Sequence, residues 1–519
     1  VRKAIHGIVD FWFGLGVDGL RLDAIPYLYE REATNCENLP ETHQFLRELR
    51  AHVDAKFQDR VLLGEANQWP EDAAAYFGEG DECHMAFNFP LMPKLFMAIH
   101  MEDSLPIRDI LQQTPDLPES CQWAIFLRNH DELTLEMVTD EERDYMYRVY
   151  ARDPRMRINL GIRRRLFPLL ENHRRRTELI NALLFSLPGT PIIYYGDEIG
   201  MGDNVYLGDR DGVRTPMQWS IDRNAGFSKA DPQKLFLPVI IAPEYHCEVI
   251  NVEVQENNPH SVLWWMRRLI SLRNKFKAFS RGSIEVLSPD NHRILAFVRR
   301  FQDERLLVVA NLSRFVQYAE LDLSPYQGMV PVELFGKTAF PAVQSTPYFL
   351  SIGPHSFFWF YLTAGQAAGE AVSKTPEAPV LPVLEVDLEW RYAFPGKPNR
   401  SALEEVLSVF VTRSPWFGSR ARPLKRTSIH EMIALNQGSR RWYLVLLKAE
   451  YFTGDDELFA VPLTCVDGPE AERLRAEHPS KFIATLKFKR DHATCLLADA
   501  KADPAFGALL LQALFQRRH

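Results

Sequence analysis

The chain has 519 residues, 46% hydrophobic and 25% charged, the balance of a folded globular protein with ample core and no dependence on disulfide or metal staples. At about 150 residues per domain, that length gives roughly three to four domains. Net charge is −8, which argues against nucleic acid or an anionic membrane as the main partner, and no run of 18 or more apolar residues is present to span a membrane.

Residues 1–16, VRKAIHGIVDFWFGLG, read as a helix already under way. Val1 stands where a Met is usual and no signal-peptide pattern follows, so the chain is expected to begin inside a longer protein. Four strand-like runs come next: 17–24 (VDGLRLDA), 61–66 (VLLGEA), 122–131 (QWAIFLRNHD) and 190–198 (TPIIYYGDE). Between them, 41–57 places Phe45, Leu46, Leu49, Val53 and Phe57 at helical spacing, and 176–189 does the same before a Pro-Gly breaker. Strand alternating with helix over 1–279 predicts an α/β fold: a parallel sheet with helices outside, doubly wound or closed as a barrel. Asp23, Glu65, His130 with Asp131, and Asp197 with Glu198 fall at the C-terminal ends of these strands, where both folds build their sites.

From 280 to 365 the period changes to two, predicting a β-sandwich of antiparallel strands. Residues 366–385 are small, Pro-containing and non-periodic, so they read as a linker. Residues 386–519 mix helix (402–411) with strand (440–452) and end on a basic tail without a completed site motif. The six cysteines, Cys36, Cys83, Cys121, Cys247, Cys465 and Cys495, form no CxxC pair and are expected to be reduced, buried thiols of a cytoplasmic protein. The basic groups Arg163 to Arg165, Arg174 to Arg176, and Arg413, Arg420, Arg422, Lys425 and Arg426 are read as solvated or packing faces, since the chain is acidic overall.

In GVDGLRLDA, Arg21 and Asp23 share one face of a strand. The arginine keeps the carboxylate ionised, which suits a nucleophile; a structural ion pair explains the spacing equally well. Glu65 ends an apolar strand near Trp69, a setting that raises a carboxyl pKa and suits a general acid, although many strand-end glutamates are only solvated. His130 and Asp131 suit sugar hydroxyls or a helix cap. Together, three carboxylates, an arginine and a histidine on successive strand ends form the constellation of glycoside chemistry.

The motifs GLRLDAIPYLYE, LLGEANQW, FLRNHDE and GTPIIYYGDEIGM resemble consecutive conserved regions of the α-amylase superfamily, glycoside hydrolase family 13. Longer stretches, including ECHMAFNFPLMP and GDNVYLGDRDGVRTPMQWS, are similar to the maltose-to-trehalose isomerases of that superfamily, the trehalose synthases. The resemblance spans 1–365 and implies a partial (β/α)8 TIM barrel, about strands 4–8, followed by the sandwich. It implies Asp23 as nucleophile, Glu65 as general acid/base and Asp131 as transition-state stabiliser. Arg21 and His130 would hold the glucose ring, with Glu132, Glu136 and Arg214 as further substrate-binding candidates. It also implies a structural Ca2+ held in part by the carbonyls of Tyr27 and Leu28 and the carboxylate of Glu30, its remaining ligands lying upstream, and no organic cofactor.

Residues 390–426, with SPWFGSRAR, resemble the N-terminal cap of bacterial maltokinases and imply a partial α+β kinase cap domain, with ATP and Mg2+ belonging to a kinase part beyond residue 519. Expected partners are maltose and trehalose, a maltokinase in the same polypeptide or complex, and further copies of the complete protein. With about five of eight barrel strands, the chain alone is expected to be inactive. A same-superfamily α-glucosidase or amylase, and a non-catalytic sugar-binding remnant, are the competing readings.

Overall fold

Five short strands, β1 (Gly19–Leu22), β2 (Val61–Gly64), β3 (Met85–Phe87), β4 (Gln122–Phe126) and β5 (Thr190–Ile192), pair in parallel in that order. They are an open segment of a (β/α)8 barrel. The computed structural model describes residues 1–364, 381–386, 397–413, 424–438, 440–451, 456–477, 481–489 and 493–515, in two units, Val1–Ala368 and Gly369–His519. The linker expected at 366–385 lies largely outside the described residues, as does SPWFGSRAR, which includes Arg420 and Arg422.

The helices form where apolar residues recur at helical spacing. Helix α1 (Arg2–Gly14) buries Val9 and Phe13, and α2 (Pro40–Lys56) buries Phe45, Leu46, Leu49 and Val53. Val9, Phe13, Phe45, Leu49, Val53 and Leu62 form one cluster, which fixes both helices against β2. In the middle of the sheet, β4 is buried from Trp123 to Phe126, as a strand covered on both faces must be. The sequence pattern did not reveal β3, because three residues are too short for a period to show.

Seven antiparallel strands follow. Residues 330–333, 357–363, 304–311, 294–301 and 283–287 make a five-stranded sheet in that order, faced by the pair 317–321 and 348–352. The strand Tyr348–Ile352 was not among the sequence-read strands, yet it alternates, with Tyr348, Leu350 and Ile352 inward. Barrel and sandwich share a core in which Leu179, Leu183, Phe279, Phe297 and Trp359 belong to one cluster. Buried Arg273 and Arg299 cap the chain after the helix Arg174–Leu184: Arg273 donates to the Phe185 and Gly189 carbonyls at 2.6 and 2.7 Å, and Arg299 donates to the Ser186 carbonyl at 2.6 Å. Trp359 is fully buried at this junction, so Trp359→Ala is expected to destabilise the unit by about 3–5 kcal/mol, read as a lower midpoint in urea unfolding.

In the second unit a six-stranded sheet runs in the order 383–386, 482–488, 494–499, 457–466, 440–451, 424–437. Only its first pair is parallel. Leu403, Leu407 and Val411 of the helix Lys397–Arg413 pack with Val445, Leu447, Val461 and Leu463. Here the cysteine expectation is corrected: Cys465 and Cys495 form a disulfide across neighbouring strands, Cα–Cα 6.0 Å. Their separation of 30 in sequence hid a contact made by strand pairing. Of the four free cysteines, Cys83 and Cys247 are buried, whereas Cys36 and Cys121 are half-buried. Among the described residues no helix is long and apolar enough to cross a membrane.

Candidate active site

Parallel pairing places Leu22 opposite Gly64 and continues beyond both strands. The Glu65 N–H donates to the Leu22 carbonyl at 3.0 Å, and the Ile25 N–H donates to the Glu65 carbonyl at 3.2 Å. Gly64 permits this close approach, since a Cβ there would stand 2.7 Å from Ile25 Cδ1. Asp23 and Glu65 therefore leave adjacent strand ends side by side.

One guanidinium holds both carboxyl groups. Arg21 Nη1 donates to Asp23 Oδ1 at 2.7 Å, and its Nη2 lies 2.5 Å from Glu65 Oε1. Ala24 takes the left-handed conformation, φ +45°, and its N–H donates to Glu65 Oε2 at 3.2 Å. The two carboxyls are driven apart in acidity. Hydrogen bonding with Glu65, then Arg21, holds Asp23 below the usual carboxylate range, while burial and then the Asp23 hydrogen bond push Glu65 above it. Their exposures match: the Asp23 side chain, beyond edge strand β1, is 77% exposed, and that of Glu65 is 18% exposed.

Asp131 lies beyond β4 and meets two other arginines and a histidine. Arg214 Nη2 donates to its Oδ1 at 2.7 Å, Arg210 Nε lies 3.4 Å from the same atom, and His130 Nε2 lies 3.2 Å from Oδ2. Arg214 Nε also donates to the His130 carbonyl at 2.7 Å. His130 stands between the two groups, since it feels Asp131 and Arg214 on one side and Arg21 and Asp23 on the other. Burial, chiefly, lowers its pKa, so the ring is neutral at pH 7.

Glu132 receives Asn159 Nδ2 at 2.8 Å and Arg210 Nε at 2.8 Å. Burial raises its pKa, but these hydrogen bonds, a backbone hydrogen bond and the Arg210 charge together bring it below the usual range. Glu136 hydrogen-bonds with Asn67 and is raised, by burial first and Glu132 second. The sequence reading missed Arg210, Asn67 and Asn159. The signal for Arg210 was the repeated Asp–Arg pattern in GDRDGVR, where only Arg214 had been singled out.

The calcium expectation meets a thin donor set. Tyr27 is exposed and its hydroxyl donates to Glu37 Oε1 at 2.9 Å; Glu30 is exposed. Two carbonyls, of Tyr27 and Leu28, and one carboxylate fall short of the six to eight oxygens that calcium takes. Among the described residues no group of three or more His, Cys, Asp or Glu side chains could hold a metal ion. The α-amylase catalytic pattern is compatible with a structural calcium, but these residues do not make up a site.

Comparison with known proteins gives three family matches. The α-amylase catalytic domain matches residues 1–160 and 162–282, the maltogenic amylase C-terminal domain 284–359, and the maltokinase N-terminal cap domain 410–503. The trehalose synthase/amylase TreS of Mycobacterium tuberculosis (strain ATCC 25618 / H37Rv) is 56% identical over 370 residues, covering 70% of this chain and 62% of that protein. The trehalose synthase of Thermus thermophilus is 57% identical over 541 residues, covering all of this chain and 54% of that protein. The chain thus spans between about half and two thirds of the length of these relatives. Among solved structures, Bacillus licheniformis trehalose-6-phosphate hydrolase superposes with TM-score 0.52 at 24% identity, over 70% of this chain and 68% of that one, a likeness of fold. With a parallel barrel segment, carboxylates at its strand ends and a catalytic-domain match over more than half its length, the chain belongs to the α-amylase family.

Proposed function

We propose that the intact protein is a trehalose synthase, isomerising maltose to trehalose by retaining double displacement. The observation that carries this is the pair bridged by Arg21, one carboxyl ionised and the other driven toward its protonated form. Asp23 attacks C1 of the non-reducing glucose while Glu65 gives its proton to the departing O4, forming a glucosyl ester on Asp23 and releasing glucose. Glu65, now ionised, takes the proton from the anomeric hydroxyl of that glucose, whose oxygen attacks C1 and frees Asp23. Two inversions give the α,α-1,1 bond. Asp131 offsets the charge of the oxocarbenium-like transition states, Arg21 and His130 hold the ring, and Glu132, Glu136 and Arg214 retain the freed glucose. Asp23 is open at the β1 edge, so excluding water from the ester calls for cover over that edge; water there gives glucose.

We assign residues 1–279 to the barrel, 280–365 to the sandwich and 386–519 to the start of a maltokinase; the linker, read as 366–385, stops short of residue 383, because the strand 383–386 belongs to the second sheet. Anomeric-proton NMR of maltose incubated with the intact protein is expected to show trehalose as the main product. Glucose alone would make the protein an α-glucosidase using the same carboxylates.

A further inference from the structure

Behind Asp131 lies a group of buried charges that the proposed reaction does not touch. Arg128, two residues past β4, is 1% exposed. Its Nε donates to the Arg164 carbonyl at 2.5 Å and its Nη2 to the Asp131 carbonyl at 2.7 Å, while its Nη1 has no protein partner. Arg165 is wholly buried against the rings of Tyr194 and Tyr195, both 4.6 Å away, and donates to the Tyr195 carbonyl at 2.6 Å. Asp197, 5% exposed, lies 3.8 Å from Arg165 through an Oδ1 that makes no hydrogen bond. Of the other charges here, Asp203 accepts from Arg164 Nε at 2.9 Å and from the Arg165 N–H at 2.7 Å, whereas Arg165 Nε and Nη2 and Glu198 Oε2 are buried without a hydrogen-bond partner.

A guanidinium is expensive to bury, and burial pushes that of Arg128 down to about 10. Direct ion pairing does not explain its retention, because no carboxylate hydrogen-bonds to it; Asp197 acts on it only through its field. Its bonds go instead to two carbonyls on separate segments, and one belongs to Asp131. The Asp131 N–H is held in turn by Asn129 Oδ1 at 3.0 Å. The main chain at Asp131 is thereby fixed at both its donor and its acceptor, and the side chain is left to meet Arg214, Arg210 and His130. A planar fork with several donors suits this task in a way that a single ammonium does not.

We propose that Arg128 is a positioning residue for Asp131: with Asp197, 3.8 Å from Arg165, balancing the buried charge of the group, it locks the main chain that holds the Asp131 carboxylate on Arg214, Arg210 and His130. The proposal rests on the reading of Asp131 as part of the catalytic centre. Asp197 serves charge balance and Arg128 serves geometry, and that division can be measured.

The test compares wild type, Arg128→Met, Asp197→Asn, the double variant and Arg128→Lys in the intact protein, by maltose kinetics and melting temperature. Arg128→Met is expected to lower kcat about 30- to 100-fold with KM changed less than about threefold, and to lower the melting temperature by leaving the Arg164 and Asp131 carbonyls without this donor. The double variant, which also takes the Asp197 charge from beside Arg165, is expected to leave kcat low. Arg128→Lys, which keeps the buried cation and so guards against misfolding, is expected to melt near wild type with kcat down about tenfold. Recovery of kcat in the double variant, or wild-type kcat in Arg128→Lys, would reduce Arg128 to charge balance and overturn the proposal. Wild type without activity on maltose is a separate result: it defeats the functional reading, and this proposal with it.

Discussion

Asp23→Asn is expected to lower maltose turnover at least about a thousandfold while sugar binding survives within a fewfold. The amide keeps the size of the carboxylate and an oxygen for Arg21 Nη1, now 2.7 Å away, so the local geometry persists. The electron pair that forms the bond to C1 is lost. Arg21 also contacts Glu65 at 2.5 Å, which anchors the guanidinium when its other partner changes. Removing the Asp23 charge has a second consequence. The hydrogen bond to Asp23 helps hold Glu65 above its ordinary range, so residual activity should decline at lower pH on its basic side than in wild type. Steady-state kinetics together with calorimetric maltose binding separate the outcomes. Unchanged turnover would place the nucleophile elsewhere, and loss of binding together with turnover would mean that the Arg21 bridge had collapsed.

Glu65→Gln is expected to cost about 10²- to 10⁴-fold in kcat/KM for maltose, the usual range for a general acid. The loss should be much smaller for the bond-breaking step with 4-nitrophenyl α-glucoside, whose leaving group departs without a proton. The pH profile gives an independent reading. Wild type needs Asp23 ionised and Glu65 protonated. Activity therefore falls in acid as Asp23, held low by Glu65 and Arg21, takes up a proton, and falls in base as Glu65, held high by burial and Asp23, loses one. Glutamine does not titrate, so the basic limb should vanish while the acidic limb remains. A basic limb that persists in Glu65→Gln would assign the acid to another group.

Asp23 and Glu65 were legible because each directly follows a strand read from local pattern, at 17–24 and 61–66; Asp131 was legible less sharply, since the strand read over 122–131 ends at Phe126 and Asp131 lies in the loop beyond it. The helices 41–57 and 176–189 were legible for the same reason, as one apolar face recurs at the helical period. Strand β3 was not, because its position between β2 and β4 depends on parallel pairing with residues about 20 to 40 positions away. The Cys465–Cys495 bond was hidden in the same way, being made by strand register alone.

Local sequence pattern set the order of strands and acidic groups along the chain and the change of period that begins the sandwich, since these are properties of neighbouring residues; it read the strands at 122–131 and 190–198 too long, as they end at Phe126 and Ile192. Apart from Arg21 with Asp23, which share a strand face in the sequence, the pairing of cation and acid came from packing. Arg21 bridges Asp23 to Glu65 across 42 residues, Arg214 reaches back to Asp131, Arg210 ties Glu132 to the same place, and Arg128 holds the Asp131 main chain from behind. Charge pairing acts through space and falls off with distance, so the difference in acidity between Asp23 and Glu65 exists only once β1 and β2 lie side by side.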